Sequence, residues 1–539
     1  MDIEKVLDEY EQQGYLRKRT IHEEFKSAAQ KYPDKTAITD AEGSVTYRQL
    51  DAWSDRLADF FLENGLRMGD SVLLQLPNIN LYVAVLLALL KAGIVPALLL
   101  PTHRTQEIVS VAKTILPKAY IGCREFLGVE YAGMVQESEE TKNLTIQTVF
   151  TDKPLEGGGN YPCRILPGMP EPSEVKPFTE LQKDYRATAL YLLSGGTTNL
   201  PKVIPRIHEC YAYNSLAAAK AAGITKDSVY MAVLSASHDY PLASPGVLGL
   251  LYNGGSVVLC ATAAFDEAFE MIEKHRVTFT CIVPAIAQVW AEVLDWYEGD
   301  FSTLKNIVVG AAKLERETAE ILIKRMGIIL QQAYGLGEGI TCYTALTDPL
   351  EVTFTCQGKP VSEGDSVKIV DPDGNELPAG EAGELLEKGP YTFFGYYGNE
   401  KLNEGLFTED GYLKTGDKAY RDELGNIVIC GRVREQINRA GENVSPQEVE
   451  SLLRKHPDVR DAAVFGRPDA SLGEKTTAVI VTQRRDLTLN EIAVFFRTLG
   501  IAQYKIPDEI FIRDKLVYTN VGKTDKKLLK RMIEESEGK

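Results

Sequence analysis

Through the first four-fifths of the chain, hydrophobic positions alternate between two periods. In YRQLDAWSDRLADFFLENG (47–65) apolar residues recur every three or four positions and the run stops at a glycine, which predicts an amphipathic helix. DSVLLQLP (70–77) then reads as a buried strand, VAVLLALLKAG (83–93) as a helix with a glycine end, and IVPALLL (94–100) as a strand. The same rhythm returns in SVYMAVL, GSVVLC, FDEAFEMIEKHR, FTCIVP and NIVVGAA, between 228 and 312. Helices alternating with short β-branched runs predict α/β architecture, with parallel sheets covered by helices.

Two changes of texture divide the remainder. Between 375 and 432 the chain turns to short strands and Gly/Asp turns, as in DELGNIVICGR, which predicts a small β-subdomain. After Arg432 it becomes SPQEVESLLRKHPDVRDAAVFGRPD and TTAVIVTQ, a mixed helix and strand pattern. We therefore expect an N-terminal core over 1–432, of two sheet-containing subdomains plus the β-subdomain, and a small α+β domain over 433–539. A chain of 539 residues is too long for one core.

Composition narrows the class. With 59 basic and 76 acidic residues the net charge is -17, so a general attraction to nucleic acid or anionic membrane is not expected. The first twenty residues are charged throughout and lack the apolar core of a signal peptide, and the longest apolar stretch is broken by Lys91, Gly93 and Pro96. Eight cysteines without metal-ligand spacing read as reduced core residues, and a cytoplasmic protein is expected. The six histidines are scattered over 22, 103, 208, 238, 275 and 456, which disfavours a histidine metal site; His208 reads as a hydrogen-bonded structural residue.

YLLSGGTTNLPKVIPR (191–206) carries the strongest chemistry. Glycines let backbone amides approach an anion, hydroxyls add donors, and a lysine supplies charge, a set suited to a phosphate tail although the Walker A pattern is not matched. Four later segments follow in order: QQAYGLGEG (331–339), GYLKTGD (411–417), GRVREQINRAGENVSPQEVE (431–450) and TNVGKTDKKLL (519–529). Together they resemble the adenylate-forming, or acyl-activating, enzyme superfamily over essentially the whole chain. LPNINLY, PTHRTQEI, IPRIHECYAYN, HDYPLASPGVLGLLYNGG, GPYTFFGYY and AQYKIPD are most similar to the freestanding aryl-acid AMP ligases of siderophore assembly, the 2,3-dihydroxybenzoate and salicylate activators.

That resemblance implies a reaction, its ligands and a set of roles. A carboxylate attacks the α-phosphorus of ATP, pyrophosphate leaves, and a thiol captures the acyl group. Ser194, Gly195, Gly196, Thr197, Thr198 and Lys202 would hold the β- and γ-phosphates, Glu338 would bind Mg²⁺, and Tyr334 and Gly335 would lie against the adenine. Asp417 and Arg432 would bind the ribose hydroxyls, and Lys523, from a mobile C-terminal lid, would reach the carboxylate and α-phosphate. His238 would sit beside the acyl carbon or the thiol path rather than act as a base, since carboxylate attack removes no proton. The thiol would belong to a carrier protein acting in trans, or to CoA.

The acid pocket is where the sequence departs from the resemblance. Asp239 stands where the aryl-acid ligases carry asparagine, while Tyr240 and Ser244 keep their pattern and a flat cleft is expected between Tyr240 and the turn at Gly310. Val308, Ala311, Ala333, Thr341 and Cys342 replace Gln, Gly, Val, Val and Asn. An ionised carboxylate only accepts hydrogen bonds, so Asp239 favours a substrate that offers a donor, such as the ortho amine of anthranilate or 3-hydroxyanthranilate. Salicylate or 2,3-dihydroxybenzoate remains the alternative acid, an α-amino acid is a competitor, and an aryl-CoA ligase or a non-catalytic relative are the other classes. Arg434 falls at the hinge position, Val517 replaces a common proline, and Ala440 to Asn443 read AGEN where the superfamily usually has GGEK. These last differences bear on thiol transfer more than on adenylation.

Overall fold

The computed structural model describes every residue except 1, 156, 158, 195–200, 313, 434–436, 440–441, 470–471, 500, 502, 520–522 and 538–539. It forms two compact units, Met1–Val367 with Glu387–Leu413, and Lys368–Leu386 with Lys414–Lys539.

The larger unit holds two mostly parallel sheets. One has seven strands in the order Val203–Ile207, Thr188–Leu193, Val95–Leu98, Ser71–Gln75, Ala119–Gly122, Thr148–Thr151 and Cys163–Ile165. All neighbours are parallel except the first pair. The other has nine strands, with a parallel centre in the order Ile329–Gly335, Asn306–Val309, Phe279–Ile282, Val229–Ala232, Ser256–Leu259 and Thr36–Asp40. Parallel strands need covered faces, and the helices that follow them supply the cover. Among these helices, Tyr47–Glu63 begins at a Thr46/Gln49 capping box. The helix Asn80–Ala92 ends where Gly93 takes a left-handed φ of 67°. The apolar run that contains it is therefore helix, turn and strand, and no described helix is long and apolar enough to cross a membrane. Lys91 lies in that buried helix because Asp51 and Asp55 of the neighbouring helix accept from its ammonium at 2.8 and 2.5 Å.

The nine-stranded sheet separates two cores. Tyr230, Cys281, Val308, Ala333 and Tyr343 share one buried face, while Met231, Ile282, Ile307 and Val309 pack on the other. All eight cysteines are free, six of them buried, with Cys163 and Cys430 half-buried.

The smaller unit contains the four-stranded sheet Ser366–Val370, Gly383–Lys388, Leu413–Arg421 and Ile427–Arg432. A second sheet joins Glu442–Val444, Ile437–Arg439, Gly473–Val481 and Asp461–Asp469, with Glu509–Arg513 parallel to Gly473–Val481. Helices Pro446–Arg454, Leu489–Thr498 and Lys526–Glu537 belong to the same unit. The segment after 432 carries the mixed α+β pattern that its sequence predicts, whereas most of the β-subdomain expected in the N-terminal core, Lys368–Leu386 and Lys414 onward, groups with the smaller unit.

Candidate active site

The candidate phosphate end is built on a hairpin. Thr188–Leu193 and Val203–Ile207 pair antiparallel, with Leu193 opposite Val203. Beyond them Ser194 N–H donates to the Lys202 carbonyl at 3.0 Å, and Lys202 N–H donates to Ser194 Oγ at 3.3 Å. Gly195, Gly196, Thr197 and Thr198 lie outside the described residues, but their hydroxyl- and lysine-bearing neighbours close the neck of the loop. Lys202 Nζ stands 4.8 Å from the centroid of the Tyr396 ring, and the Tyr396 hydroxyl donates to Glu338 Oε1 at 2.8 Å. A residue of the phosphate loop and the candidate metal ligand thus meet through one aromatic side chain.

Glu338 is held by its backbone as well. Phe393 N–H donates to the Glu338 carbonyl at 2.7 Å. Arg206, only 2% exposed, donates to the carbonyls of Gly337 and Tyr391, each at 2.8 Å. Behind this turn lies Glu387, 1% exposed, whose Oε2 accepts from Thr392 at 2.7 Å and whose Oε1 has no hydrogen-bond partner among the described residues. Burial pushes the Glu387 carboxyl up to about 7; the Thr392 bond and Arg206 oppose this and Glu338 adds to it.

Among the described residues no group of three or more His, Cys, Asp and Glu could enclose a metal ion. Glu338 therefore offers a single carboxylate near Lys202 of the candidate phosphate loop. That donor set fits Mg²⁺, which keeps several waters and binds through one or two carboxylates together with substrate phosphates.

At the acid end, the short helix Asp239–Ala243 faces the helix His208–Ala221 and the sheet. Tyr211 donates to Asp239 Oδ1 at 2.8 Å. Tyr240 donates to the Val308 carbonyl at 2.9 Å, and Tyr343 donates to the Ser244 carbonyl. A Cβ on Gly310 would come within 3.1 Å of the Tyr240 ring and 3.3 Å of Ala333 Cβ, so the ring needs glycine there. Burial pushes the phenols of Tyr211, Tyr240 and Tyr343 well above their ordinary range, and they remain neutral donors. Ser244 is buried and its Oγ has no hydrogen-bond partner among the described residues. His238 caps the short helix, its Nδ1 accepting from Tyr240 N–H at 3.3 Å, a role that keeps that nitrogen unprotonated.

The expected pocket residues divide by strand parity. Ala333 pairs with Tyr343, Gly335 with Thr341 and Tyr334 with Cys342. Thr341 and Tyr343 share a face, and Thr341 Oγ1 lies 3.5 Å from Asn214 of the helix that carries Tyr211. Cys342 points the other way: burial raises its thiol and the charges that act on it are those of Asp365 and Glu387, not Asp239. The structure thus brings Val308, Gly310, Ala333 and Tyr240 together and leaves Cys342 on the opposite side of its strand, because neighbouring side chains on a strand alternate. Ala311, exposed in the turn after Gly310, adopts a left-handed φ of 71°.

In the smaller unit, Asp417 and Arg432 face each other in a hairpin, with Arg432 Nε 2.9 Å from Asp417 Oδ1. Asp417 is buried and Arg432 half-exposed. Lys523 is exposed, in a turn where Thr519 N–H donates to its carbonyl at 2.7 Å. Arg434 and Ala440 lie outside the described residues.

A model of the AMP-binding enzyme family matches residues 25–397, and one of the AMP-binding enzyme C-terminal domain matches 448–523. The chain belongs to the AMP-binding enzyme family. Relatives of this AMP-binding enzyme include a 2,3-dihydroxybenzoate-AMP ligase of Bacillus subtilis, 37% identical over 99% of this chain and 97% of that protein. A salicyl-AMP ligase / salicyl-S-ArCP synthetase of Mycobacterium tuberculosis is 36% identical, covering 97% and 92%. The apo structure of Mycobacterium smegmatis MbtA superposes with a TM-score of 0.73 at 36% identity, over 98% of this chain and 97% of that one.

Four residues of the site escape a reading of motifs alone. Tyr396, Arg206 and Tyr211 lie inside recognised stretches without a role attached, and Glu387 reads as an ordinary strand residue. The available signal is polarity in a buried run: an arginine in VIPRI and a glutamate in GELLEK are costly in a core unless they are partnered.

Proposed function

We propose that this AMP-binding enzyme is an aryl-acid AMP ligase whose acid is an ortho-aminobenzoate, anthranilate or 3-hydroxyanthranilate. Support for the class comes from full-length similarity to ligases named for 2,3-dihydroxybenzoate and salicylate. The acid itself rests on one observation: an aspartate, held by a phenol at 2.8 Å, beside the Tyr240 and Tyr343 phenols. An ortho amine has two N–H groups, one for its own carboxylate and one for Asp239, whereas an ortho hydroxyl has a single hydrogen to share.

In the first half-reaction a carboxylate oxygen bonds to the α-phosphorus as the bond to the bridging oxygen of pyrophosphate breaks. Two anions meet, so neutralisation and alignment supply the rate. Ser194, Lys202 and the loop between them would hold the phosphate tail, Lys523 would offset charge at the carboxylate and α-phosphate, and Asp417 with Arg432 would hold the ribose. Tyr396 would orient Glu338 for Mg²⁺, which neutralises phosphate charge when bound. In the second half-reaction a thiol loses its proton to solvent, its sulfur bonds to the acyl carbon, and AMP leaves with the electron pair of the acyl–oxygen bond. The acceptor would be a carrier-protein phosphopantetheine, with residues 433–539 as the lid domain.

The names of the relatives favour a second reading, activation of salicylate or 2,3-dihydroxybenzoate for siderophore assembly. Substrate-dependent ATP–pyrophosphate exchange separates the two. The panel is benzoate, salicylate, 2,3-dihydroxybenzoate, anthranilate, 3-hydroxyanthranilate and the aromatic α-amino acids. Highest kcat/KM with an ortho-amino acid is the expected result; highest values with the hydroxybenzoates would reject the amine reading and leave the ligase class standing. Acyl transfer to a holo carrier protein against CoA then identifies the acceptor.

A further inference from the structure

We propose that Tyr211 is a positioning residue for acid selection: its hydroxyl dictates whether residue 239 presents a hydrogen-bond acceptor or a donor to the ortho substituent of the substrate. The proposal rests on the reading of Asp239 given above and adds a residue that acts through it. Tyr211 is fully buried on the helix His208–Ala221, and its hydroxyl lies 2.8 Å from Asp239 Oδ1. Its ring is braced by Arg206, whose guanidinium stands 5.1 Å from the ring centroid and is itself tied to the carbonyls of Gly337 and Tyr391.

A neutral phenol has one hydrogen, and here it is given to Asp239. The atom that receives it must be an acceptor. With aspartate at 239 the second oxygen is an acceptor too, so the position offers a lone pair to the ligand. With asparagine, the oxygen must face Tyr211 and the amide NH₂ takes the other place. The same substitution therefore inverts the polarity shown to the substrate, but only while Tyr211 prevents the amide from flipping. An ortho amine, with one N–H on its own carboxylate and one directed outward, matches the acceptor. An ortho hydroxyl whose single hydrogen is engaged by its own carboxylate directs a lone pair outward and matches the donor.

The test is the ratio of kcat/KM for anthranilate to that for salicylate, from pyrophosphate exchange, in four full-length proteins: wild type, Tyr211→Phe, Asp239→Asn and the double variant. A ratio within one preparation is insensitive to the active fraction, so partial misfolding does not distort it. If Tyr211→Phe does not accumulate, Tyr211→Met takes its place as a flexible apolar filler. Asp239→Asn is expected to move the ratio towards salicylate by about a hundredfold, as for a charge-assisted bond replaced by a mismatch. In the Tyr211→Phe background the same change is expected to move it by less than about tenfold, because the amide can then present either end. Tyr211→Phe alone is expected to keep anthranilate ahead, since both carboxylate oxygens accept.

Equal shifts in the two backgrounds would overturn the role of Tyr211 and leave the amine reading of Asp239 intact. No shift in either background would overturn both.

Discussion

The phosphate end and the acid end of the larger unit use the same materials, a tyrosine hydroxyl on a carboxylate, for different purposes. At the phosphate end Tyr396 bonds Glu338 beside Lys202, and the backbone of that turn is pinned by Arg206 and Phe393. At the candidate acid end Tyr211 bonds Asp239, with the neutral phenols of Tyr240 and Tyr343 nearby, and under the proposed function the remaining oxygen would face the ring substituent. The difference teaches that the same pairing, hydroxyl on carboxylate, sits beside a lysine at one end and beside neutral phenols at the other, and the two proposed roles follow from those neighbours. Arg206 connects the two, through its bonds to Gly337 and Tyr391 and its stack on Tyr211.

That connection predicts the largest effect. Arg206→Ala leaves two buried carbonyls without donors and opens a void, and is expected to cost about 4 kcal/mol of stability. Urea unfolding at constant m-value reads it; a loss below about 1 kcal/mol would show that the ends are not joined through this residue.

Glu338→Ala is expected to lower pyrophosphate exchange by on the order of a hundredfold, with the ranking of acids unchanged. A changed ranking would break the contrast between the generic and the selective end.

Acid should loosen the acid end first. His22 and His208 are buried, and burial lowers them to about 4 and about 3. His208 Nδ1 accepts from Ile21 N–H at 3.4 Å one turn before Tyr211, a bond that a proton there would destroy. These folded values lie below the unfolded value near 6.5, so the unfolded chain binds more protons between them. Their contribution is complete above about pH 6.5 and is lost as pH falls towards 4, about 2 kcal/mol from His22 alone at pH 5. Denaturation midpoints of wild type and His22→Gln between pH 5 and 8 measure the slope; parallel profiles would assign it elsewhere.

Tyr396→Phe removes the bond to Glu338 but keeps a ring under Lys202, and is expected to raise the Mg²⁺ concentration for half-maximal exchange by about tenfold. The smallest effect concerns the turn after Gly310. Ala311 adopts φ 71°, and Ala311→Gly is expected to stabilise the chain by about 0.5–1 kcal/mol, visible as a higher urea midpoint.

The period of the hydrophobic pattern is local, and the structure follows it closely. The helix expected at 83–93 is Asn80–Ala92, and the strands expected near 70, 94, 228, 255, 279 and 306 all form. The candidate phosphate loop was suggested by glycines, hydroxyls and a lysine in one stretch taken together with four later motifs in order, and Asp239 stood out as a lone carboxylate entering an apolar run. Position alone does not tell which face Cys342 takes, because that depends on strand parity: Cys342 pairs with Tyr334, and its neighbour Tyr343 is the one whose phenol feels Asp239. Glu387 and Arg206 gave a weaker signal, since their partners are recognisable only once distant segments are packed together.

The sequence by itself therefore determined the element order, the α/β class, the glycine, hydroxyl and lysine composition of the candidate phosphate loop and the residue types available for chemistry, all of which depend on near neighbours along the chain. Only the tertiary structure decided that Lys202, Tyr396 and Glu338 meet, and that Tyr211 holds Asp239. Those contacts span 28 to nearly 200 residues, and a hydrogen bond is made or missed within a few tenths of an ångström that no local pattern encodes.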